Sequence, residues 1–112
     1  MIEKIILDYL TAAATFPVMM EIPASGADPP FVVIQKTGGG ETNHVKSATL
    51  AVQSYGATLY EAAQTNETVK ELMLAAAALP KLGSVRLNSD YLFTDTARKA
   101  YRYQAVFEIV HY

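Results

Sequence analysis

The chain has 112 residues, of which 51% are hydrophobic and 18% charged, so its size and composition indicate a single domain, residues 1–112, with its own apolar core. The formal net charge of −2 excludes the strongly basic composition of proteins that bind nucleic acid through phosphates, and we expect no sequence-specific nucleic-acid partner. The absence of cysteine excludes disulfides, thiolate nucleophiles and cysteine metal sites.

The sequence gives no sign of a membrane partner. No apolar run approaches the roughly 18 residues that a membrane-spanning helix needs. Residues 1–4 do not begin a basic segment followed by an apolar one, as a signal peptide would. We therefore expect a chain that starts in the cytoplasm.

The first predicted element is an amphipathic helix. Apolar residues recur at the spacing of one helical face: Ile2, Ile5, Ile6, Tyr9, Leu10 and Ala13. We expect the helix to end before Phe16, because Pro17 disfavours helical backbone in the residue before it. A short strand over residues 18–22 and a loop containing Pro29 and Pro30 follow.

A β-hairpin is predicted next. Residues 31–36 are β-branched and apolar, and residues 45–55 alternate between two faces. The run of Gly38, Gly39 and Gly40 interrupts this pattern. We expect residues 38–44 to form a mobile hairpin tip, because ordering three glycines costs much backbone entropy.

The second predicted helix begins at a capping box formed by Thr58 and Glu61. Its apolar stripe consists of Leu59, Ala62, Ala63, Val69, Leu72, Met73, Ala76 and Leu79. Pro80 and Gly83 end the pattern, which predicts a helix of about 21 residues.

Two long strands close the chain, because apolar and polar residues alternate around residues 85–94 and 101–110. With a turn centred on Ala97, one register pairs apolar residues with each other on one face of the two strands and polar residues with each other on the opposite face. On the buried face it pairs Leu87 with Phe107, Tyr91 with Tyr103, and Phe93 with Tyr101. On the exposed face it pairs Arg86 with Glu108 and Asp95 with Lys99.

The element order α-β-β-β-α-β-β predicts an α+β fold, with an antiparallel or mixed sheet of about five strands and two helices packed on it. Val106 and Val110 place apolar groups on the otherwise polar face of the last strand. Such a strand either pairs with another subunit or is covered by a loop or the first helix.

The residues that could carry chemistry do not form a recognisable constellation. His44 lies in a polar loop, and His111 is an ordinary histidine at the edge of a sheet; neither has a second ligand at metal-binding spacing. Asp90 and Asp95 lie on opposite faces of a strand, so we expect a solvated Asp90 and a turn-stabilising Asp95. We therefore expect no catalytic residues, no metal site and no cofactor.

Four segments carry a family resemblance: the N-terminal helix, FVVIQKTGGG at residues 31–40, residues 47–55, and LNSDY at residues 87–91 together with YQAVF at residues 103–107. In order and sequence character they resemble small proteins from the head–tail gene cluster of long-tailed phages and prophages. The element order is similar to that of tail-terminator and tail-completion proteins, and the resemblance spans nearly the full chain. Head–tail adaptors encoded nearby are the other class that it fits.

The resemblance implies a structural virion assembly protein whose subunits form a ring, commonly of six, that caps the tail tube and provides the surface on which the head docks. Its partners would be further copies of itself, the tail tube protein and the head–tail connector protein. It would occupy the bacterial host cytoplasm during assembly and then the virion tail. The residues expected at assembly interfaces are Pro29, Pro30, Gly38, Gly39, Gly40, Glu41, Asn43, His44, Val106 and Val110.

The alternative function is a small homo-oligomeric domain that binds a ligand or regulates another protein. Its pocket would lie between helix and sheet and would be lined by Tyr9, Tyr91 and Tyr103. A large apolar pocket with converging polar groups would favour this alternative. A packed core with exposed edge strands would favour the assembly protein.

Overall fold

The computed structural model describes residues 1–98 and 100–112, and within them the chain forms two helices, one 3₁₀ turn and five strands. In chain order these are α1 (Ile2–Ala13), β1 (Val18–Met19), β2 (Phe31–Thr42), β3 (Val45–Gly56), α2 (Leu59–Ala75), the 3₁₀ turn (Ala76–Ala78), β4 (Leu82–Leu92) and β5 (Tyr101–His111). The sheet order is β1-β2-β3-β5-β4; β1 is parallel to β2, and all other pairs are antiparallel. The predicted α+β fold and element order are confirmed.

Both helices pack on the same side of the sheet, which we call the helix face. The buried core on this side contains Ile2, Ile6 and Leu10 of α1, Val69 and Met73 of α2, and Val32, Ile34, Leu50, Val52, Ala105, Phe107 and Ile109 of the sheet. Because successive strand residues point to opposite sides, the residues between them form a second surface, which we call the open face. On the two central strands it consists of Ser47, Thr49, Ala51 and Gln53 of β3 and Gln104, Val106, Glu108 and Val110 of β5.

The two helices begin where the sequence predicts. The Thr58 hydroxyl accepts a hydrogen bond from the Glu61 amide at 3.1 Å, and the Glu61 carboxylate accepts one from the Ala57 amide at 2.8 Å, so the first turn of α2 is capped from both directions. Helix α2 has 17 residues and then tightens into the 3₁₀ turn, so the regular helix is shorter than predicted. Strand β1 ends at Met19, three residues before the predicted end.

The glycine run lies within a strand, and the prediction that it forms the hairpin tip is wrong. Strand β2 continues through residues 38–40, where Gly38 pairs with Thr49 and Gly40 pairs with Ser47. The turn is made by Asn43 and His44, whose φ angles are 52° and 67°. A two-residue hairpin turn of type I′ needs positive φ at both positions, and asparagine adopts this conformation more readily than most residues.

The β4–β5 pairing agrees with the prediction only up to a bulge. Leu87 pairs with Phe107 and Arg86 with Glu108, as predicted. The register shifts between Leu87 and Ser89, where Asn88 is the extra residue. The predicted pairs of Tyr91 with Tyr103 and of Phe93 with Tyr101 are wrong by one position, because the extra residue moves the later residues of β4 along the partner strand.

The bulge also changes which side chains are buried. Tyr91 pairs with Gln104 rather than Tyr103, and the Phe93 amide donates to the Arg102 carbonyl at 2.8 Å. Tyr91 and Phe93 therefore lie on the open face and are 41% and 43% exposed, whereas the sequence predicts that they are buried. The predicted pairing of Asp95 with Lys99 falls outside the described residues.

Candidate functional site

The open face is the principal candidate for a functional surface. In the part of the chain that the structure describes, neither helix packs on it. Residues of the 20–30 loop cover only one end, where Ile22 and Ala27 pack against Phe31 and Tyr55. In the middle of this face Ala51 and Gln53 are buried, whereas Val106 and Val110 of β5 are partly exposed.

A ladder of paired polar side chains crosses the middle of the open face. The Gln53 amide donates to the Gln104 carbonyl oxygen at 2.9 Å, and the Thr49 hydroxyl donates to the Glu108 carboxylate at 2.9 Å. Cross-strand bonds of this kind fix the side chains of neighbouring strands relative to each other. The four polar side chains of this ladder therefore already have partners within the sheet.

Val106 and Val110 lie on this surface, as the alternation of β5 predicts. Val106 pairs with Ala51 between the two polar pairs, and Val110 pairs with Ser47 nearer the turn of the β2–β3 hairpin. Both valines are only partly buried. The open face thus carries an apolar strip framed by fixed polar groups, a composition typical of surfaces that bind another protein.

At the covered end, Arg102 holds the open face to the β4–β5 turn. Its guanidinium donates to the Phe93 carbonyl at 2.6 Å and to the Tyr55 hydroxyl at 2.9 Å, and it stacks 4.3 Å from the centre of the Phe93 ring. It lies 3.7 Å from the Asp95 carboxylate. The same carboxyl group caps the turn by accepting from the Arg98 amide at 3.2 Å, so the predicted turn-stabilising role of Asp95 is confirmed.

Tyr55 forms the base of this cluster. Burial raises the pKa of its hydroxyl above the ordinary value of 10.0, although the nearby Arg102 guanidinium acts in the opposite direction. The hydroxyl therefore stays protonated at neutral pH, where it donates to the Asp95 carboxylate at 3.3 Å. Through its hydrogen bonds and stacked rings, the cluster holds the β4–β5 turn against the open face.

The two prolines border different hollows. Pro29 lines a cavity of about 190 Å³, together with Phe31, Tyr55 and Arg98. Pro30 lines a separate hollow of about 250 Å³ beside the first turns of α2. The loop that carries them lies next to both the covered end of the open face and the helix layer.

The outer edges of the sheet belong to β2 and β4. Strand β1 pairs only with Val32 and Val33, so from Ile34 to Thr42 no strand of the described chain adjoins the outer side of β2. The outer side of β4 is likewise without a strand in residues 1–98 and 100–112. Glu41 and the three glycines therefore lie on an edge strand, where backbone groups are available to a further strand.

The two histidines occupy very different positions. His44 is exposed in the β2–β3 turn, whereas His111 is buried at the end of β5, between β3 and β4, so the prediction of an edge position for His111 is wrong. Burial, and then the neighbouring positive charges of Lys46 and Lys36, lower the pKa of His111 below 6.5. In the described part of the chain no three His, Asp or Glu side chains come together as a metal site would require.

Asp90 is exposed, as the sequence predicts, but its carboxylate also has partners within the chain. It lies on the helix face, where its carboxylate accepts hydrogen bonds from the Asn66 amide and the Lys70 ammonium, both at 2.6 Å. Because Asp90 and Lys70 lie 20 residues apart, only the packing of α2 on β4 brings them together. Asp95 lies beyond β4, and its side chain joins the cluster on the open face, so the two carboxyl groups are separated as predicted.

The three tyrosines of the predicted ligand pocket do not meet. The Tyr9 hydroxyl donates to the Leu72 carbonyl at 2.7 Å between the two helices. Tyr91 pairs with Gln104 on the open face, whereas Tyr103 pairs with Ser54 on the helix face. The hollow beside Tyr9 is lined by α1 and by Leu79, Pro80 and Lys81, not by the sheet tyrosines.

Two features of the site could not be predicted from the sequence. Arg102 appears in the sequence only as a polar residue in an alternating strand, and its stacking on Phe93 depends on the Asn88 bulge. The links from Asp90 to Asn66 and Lys70 depend on tertiary packing.

Among the described residues, no helix is long and apolar enough to span a membrane. Comparison of the chain with protein-family models and with curated proteins gave no match.

Proposed function

We propose that this chain is a structural virion assembly protein of a phage or prophage, which forms a ring at the head-proximal end of the tail and joins the tail to the head. The proposal starts from the resemblance of residues 31–40, 47–55, 87–91 and 103–107 to tail-terminator and tail-completion proteins. The single observation that supports it most is the open face, where an apolar strip lies between fixed polar pairs.

A protein with this function needs several separate contact surfaces. Each subunit must contact two neighbours in the ring, the tail tube on one side and the connector on the other. The chain offers two sheet edges, the part of the open face that no loop covers, and the loop that covers its other end. In this proposal the open face, with the partly exposed Val106 and Val110, binds the tail tube or the connector.

The physical character of the open face suits this role. The four polar side chains that flank Val106 are already paired within the sheet, so a partner gains contact with the valine without having to order them. A surface of this kind loses little conformational entropy on binding.

Co-purification of the chain with the tail tube and connector proteins from the same gene cluster tests the proposal. We expect the chain to bind one of them, and we expect Val106→Glu to abolish the binding by placing a charge in the apolar strip. Leu74→Glu is the matched control, because Leu74 is 47% exposed on α2, away from the open face. If the unaltered chain binds neither protein, the proposal is wrong.

A small ligand-binding domain is the second candidate function. It is favoured by the cavity of about 190 Å³, where Phe31 and Tyr55 supply aromatic walls and Arg98 supplies a charge. Typical small-molecule pockets measure about 300–1,000 Å³, so this cavity suits only a very small ligand. Binding of such a ligand would raise the melting temperature of the wild-type chain but not that of an Arg98→Ala variant.

A further inference from the structure

We propose that neighbouring copies of this chain join edge to edge, with β2 of one copy pairing with β4 of the next. The inference rests on the proposed ring and names the contact that builds it. It starts from the two outer edges of the sheet, which no strand of the described residues covers from Ile34 to Thr42 or along β4.

The chain directions at the two edges are compatible. Strands β2, β3, β5 and β4 follow one another across the sheet and are antiparallel at every step, so β2 and β4 run in opposite directions. When a second copy is placed beside the first with its helices on the same side, its β4 lies antiparallel to β2. Each copy then contributes its β2 edge to one neighbour and its β4 edge to the other. Repetition of this contact closes a ring if the rotation between copies permits it.

Charge selects the register of this contact. On the helix face, the charged residues along the accessible edge of β2 are Lys36 and Glu41, and the charged residue on β4 is Asp90. Pairing of opposite charges places Lys36 beside Asp90 of the next copy, whereas the register that brings Glu41 there places like charges together. Asp90 already bonds to Lys70 but keeps 27% of its side chain exposed, so a second cation has access.

In this register the bulges of β2 and β4 compensate for each other, so that paired residues of the two copies lie on the same face. Beyond the pair of Lys36 and Asp90, Thr37 is extra on β2 and Asn88 is extra on β4. Skipping these two residues places Gly38 beside Ser89 on the open face and Gly39 beside Leu87 on the helix face. Every paired position up to Thr42 then has both residues on the same face of the combined sheet.

Side-chain size is also complementary. Leu87 is 36% exposed on β4, although it points toward the helix face. Gly39 opposite it has no side chain, and its space is occupied by the flexible end of Lys36, whose Cε lies 3.0 Å from the position that a Cβ would take. The Ser47 backbone carbonyl oxygen, 3.1 Å from the same position, stays in place, but the part of the space that Lys36 leaves when it turns toward Asp90 of the next copy becomes available to Leu87.

Disulfide capture tests the contact, because the chain contains no cysteine of its own. Paired antiparallel residues have Cα atoms about 4.5–5.5 Å apart, within the range of about 4.4–6.8 Å that a disulfide needs. Residues 38 and 89 of one chain lie on opposite edges of the sheet, three strand spacings or roughly 14 Å apart, so they cannot bond within a chain. Oxidised Gly38→Cys/Ser89→Cys protein should therefore form a covalent ladder of dimer, trimer and larger species up to the complete ring.

Two controls accompany the double variant. Gly38→Cys alone should give no ladder; a single cysteine that yields abundant dimer would instead indicate symmetric β2–β2 pairing and would overturn the inference. Lys36→Glu should weaken assembly about tenfold or more by placing like charges together, whereas Lys36→Arg should preserve it.

The outcomes separate this inference from the proposed function. A ring-sized species by light scattering with no ladder from Gly38→Cys/Ser89→Cys would overturn the edge-to-edge contact and leave the ring intact. A ladder together with a ring-sized species supports both. Absence of both the ring and the ladder would overturn both.

Discussion

The Asp90 carboxylate lies 2.6 Å from the Lys70 ammonium, so a residue on the edge strand β4 is tied directly to helix α2. Its other oxygen accepts from the buried Asn66 amide at 2.6 Å. Within the described chain, the Asn66 carbonyl oxygen has no hydrogen-bond partner. Asp90 is therefore the residue that satisfies Asn66 beneath α2 and fixes the helix over the edge strand.

Asp90→Ala should lower the free energy of unfolding by about 1–3 kcal/mol, because it leaves the Asn66 amide buried without an acceptor. Urea unfolding monitored by circular dichroism measures the change. Lys4→Ala is the matched control: the Lys4 and Asp8 pair is 66% and 63% exposed, so its loss should cost about 0.5 kcal/mol or less. Equal effects of the two substitutions would refute a structural role for Asp90.

Gly56 allows β3 to pass directly beneath the start of α2. A Cβ at this position would lie 2.3 Å from the Ala62 backbone nitrogen, so Gly56→Ala should force the helix away from the sheet and cost about 1–3 kcal/mol. Gly38→Ala provides the comparison, because the nearest atom to its added Cβ, on Thr49, is 3.8 Å away. Thermal melting of both variants should show a large loss only for Gly56→Ala.

The β2–β3 turn contains a residue, His44, whose replacement by glycine should stabilise the folded chain. His44 has a φ of 67°, a conformation that costs a residue with a side chain about 1 kcal/mol and glycine almost nothing. His44→Gly should therefore raise the free energy of unfolding by up to about 1 kcal/mol. His44→Ala, which keeps a Cβ, should give no such gain, and a stabilising effect of equal size would mean that the turn is not the cause.

The stability of the chain should decrease in mild acid because of His111. Its pKa is lowered in the folded state, first by burial and then by Lys46 and Lys36, with the N-terminus acting in the same direction and Glu3 in the opposite one. The histidine of the unfolded chain titrates near 6.5, so the unfolded state binds its proton first as the pH falls. The free energy of unfolding therefore decreases below that pH.

His111→Gln removes this titration. Urea unfolding at pH 7.5 and at pH 5 should show a smaller acid-side loss for the variant than for the unaltered chain. His44→Gln is the control, because it makes the same substitution at an exposed position in the turn and leaves His111 in place. A loss of equal size in all three proteins would assign the acid sensitivity to other groups.

The parts of the fold that depend on periodicity were predictable from the sequence. The apolar face of α1, the cap formed by Thr58 and Glu61, and the pairing of Leu87 with Phe107 all follow from local spacing. The Asn88 bulge could not be predicted, because a single extra residue leaves the alternation on either side unchanged in appearance. It was this bulge that placed Tyr91 and Phe93 on the open face.

The glycine run was misleading for a different reason. Three consecutive glycines are a strong sign of a turn, yet an extended strand tolerates them where another strand supplies the hydrogen bonds. The better signal was Asn43, since asparagine adopts positive φ more readily than most residues. At the candidate site, Val106 and Val110 could be placed on the correct face, whereas the Arg102 cluster required the tertiary structure.

Light scattering of the purified chain, across a range of concentrations and salts, measures whether the chain assembles into the proposed ring. We expect a closed species of about six subunits, because a ring with cyclic symmetry is what a cap on a tail requires. Raising the salt concentration should weaken it, since the pairing of Lys36 with Asp90 is electrostatic. A 12.2-kDa monomer at every concentration and salt would contradict the proposed ring.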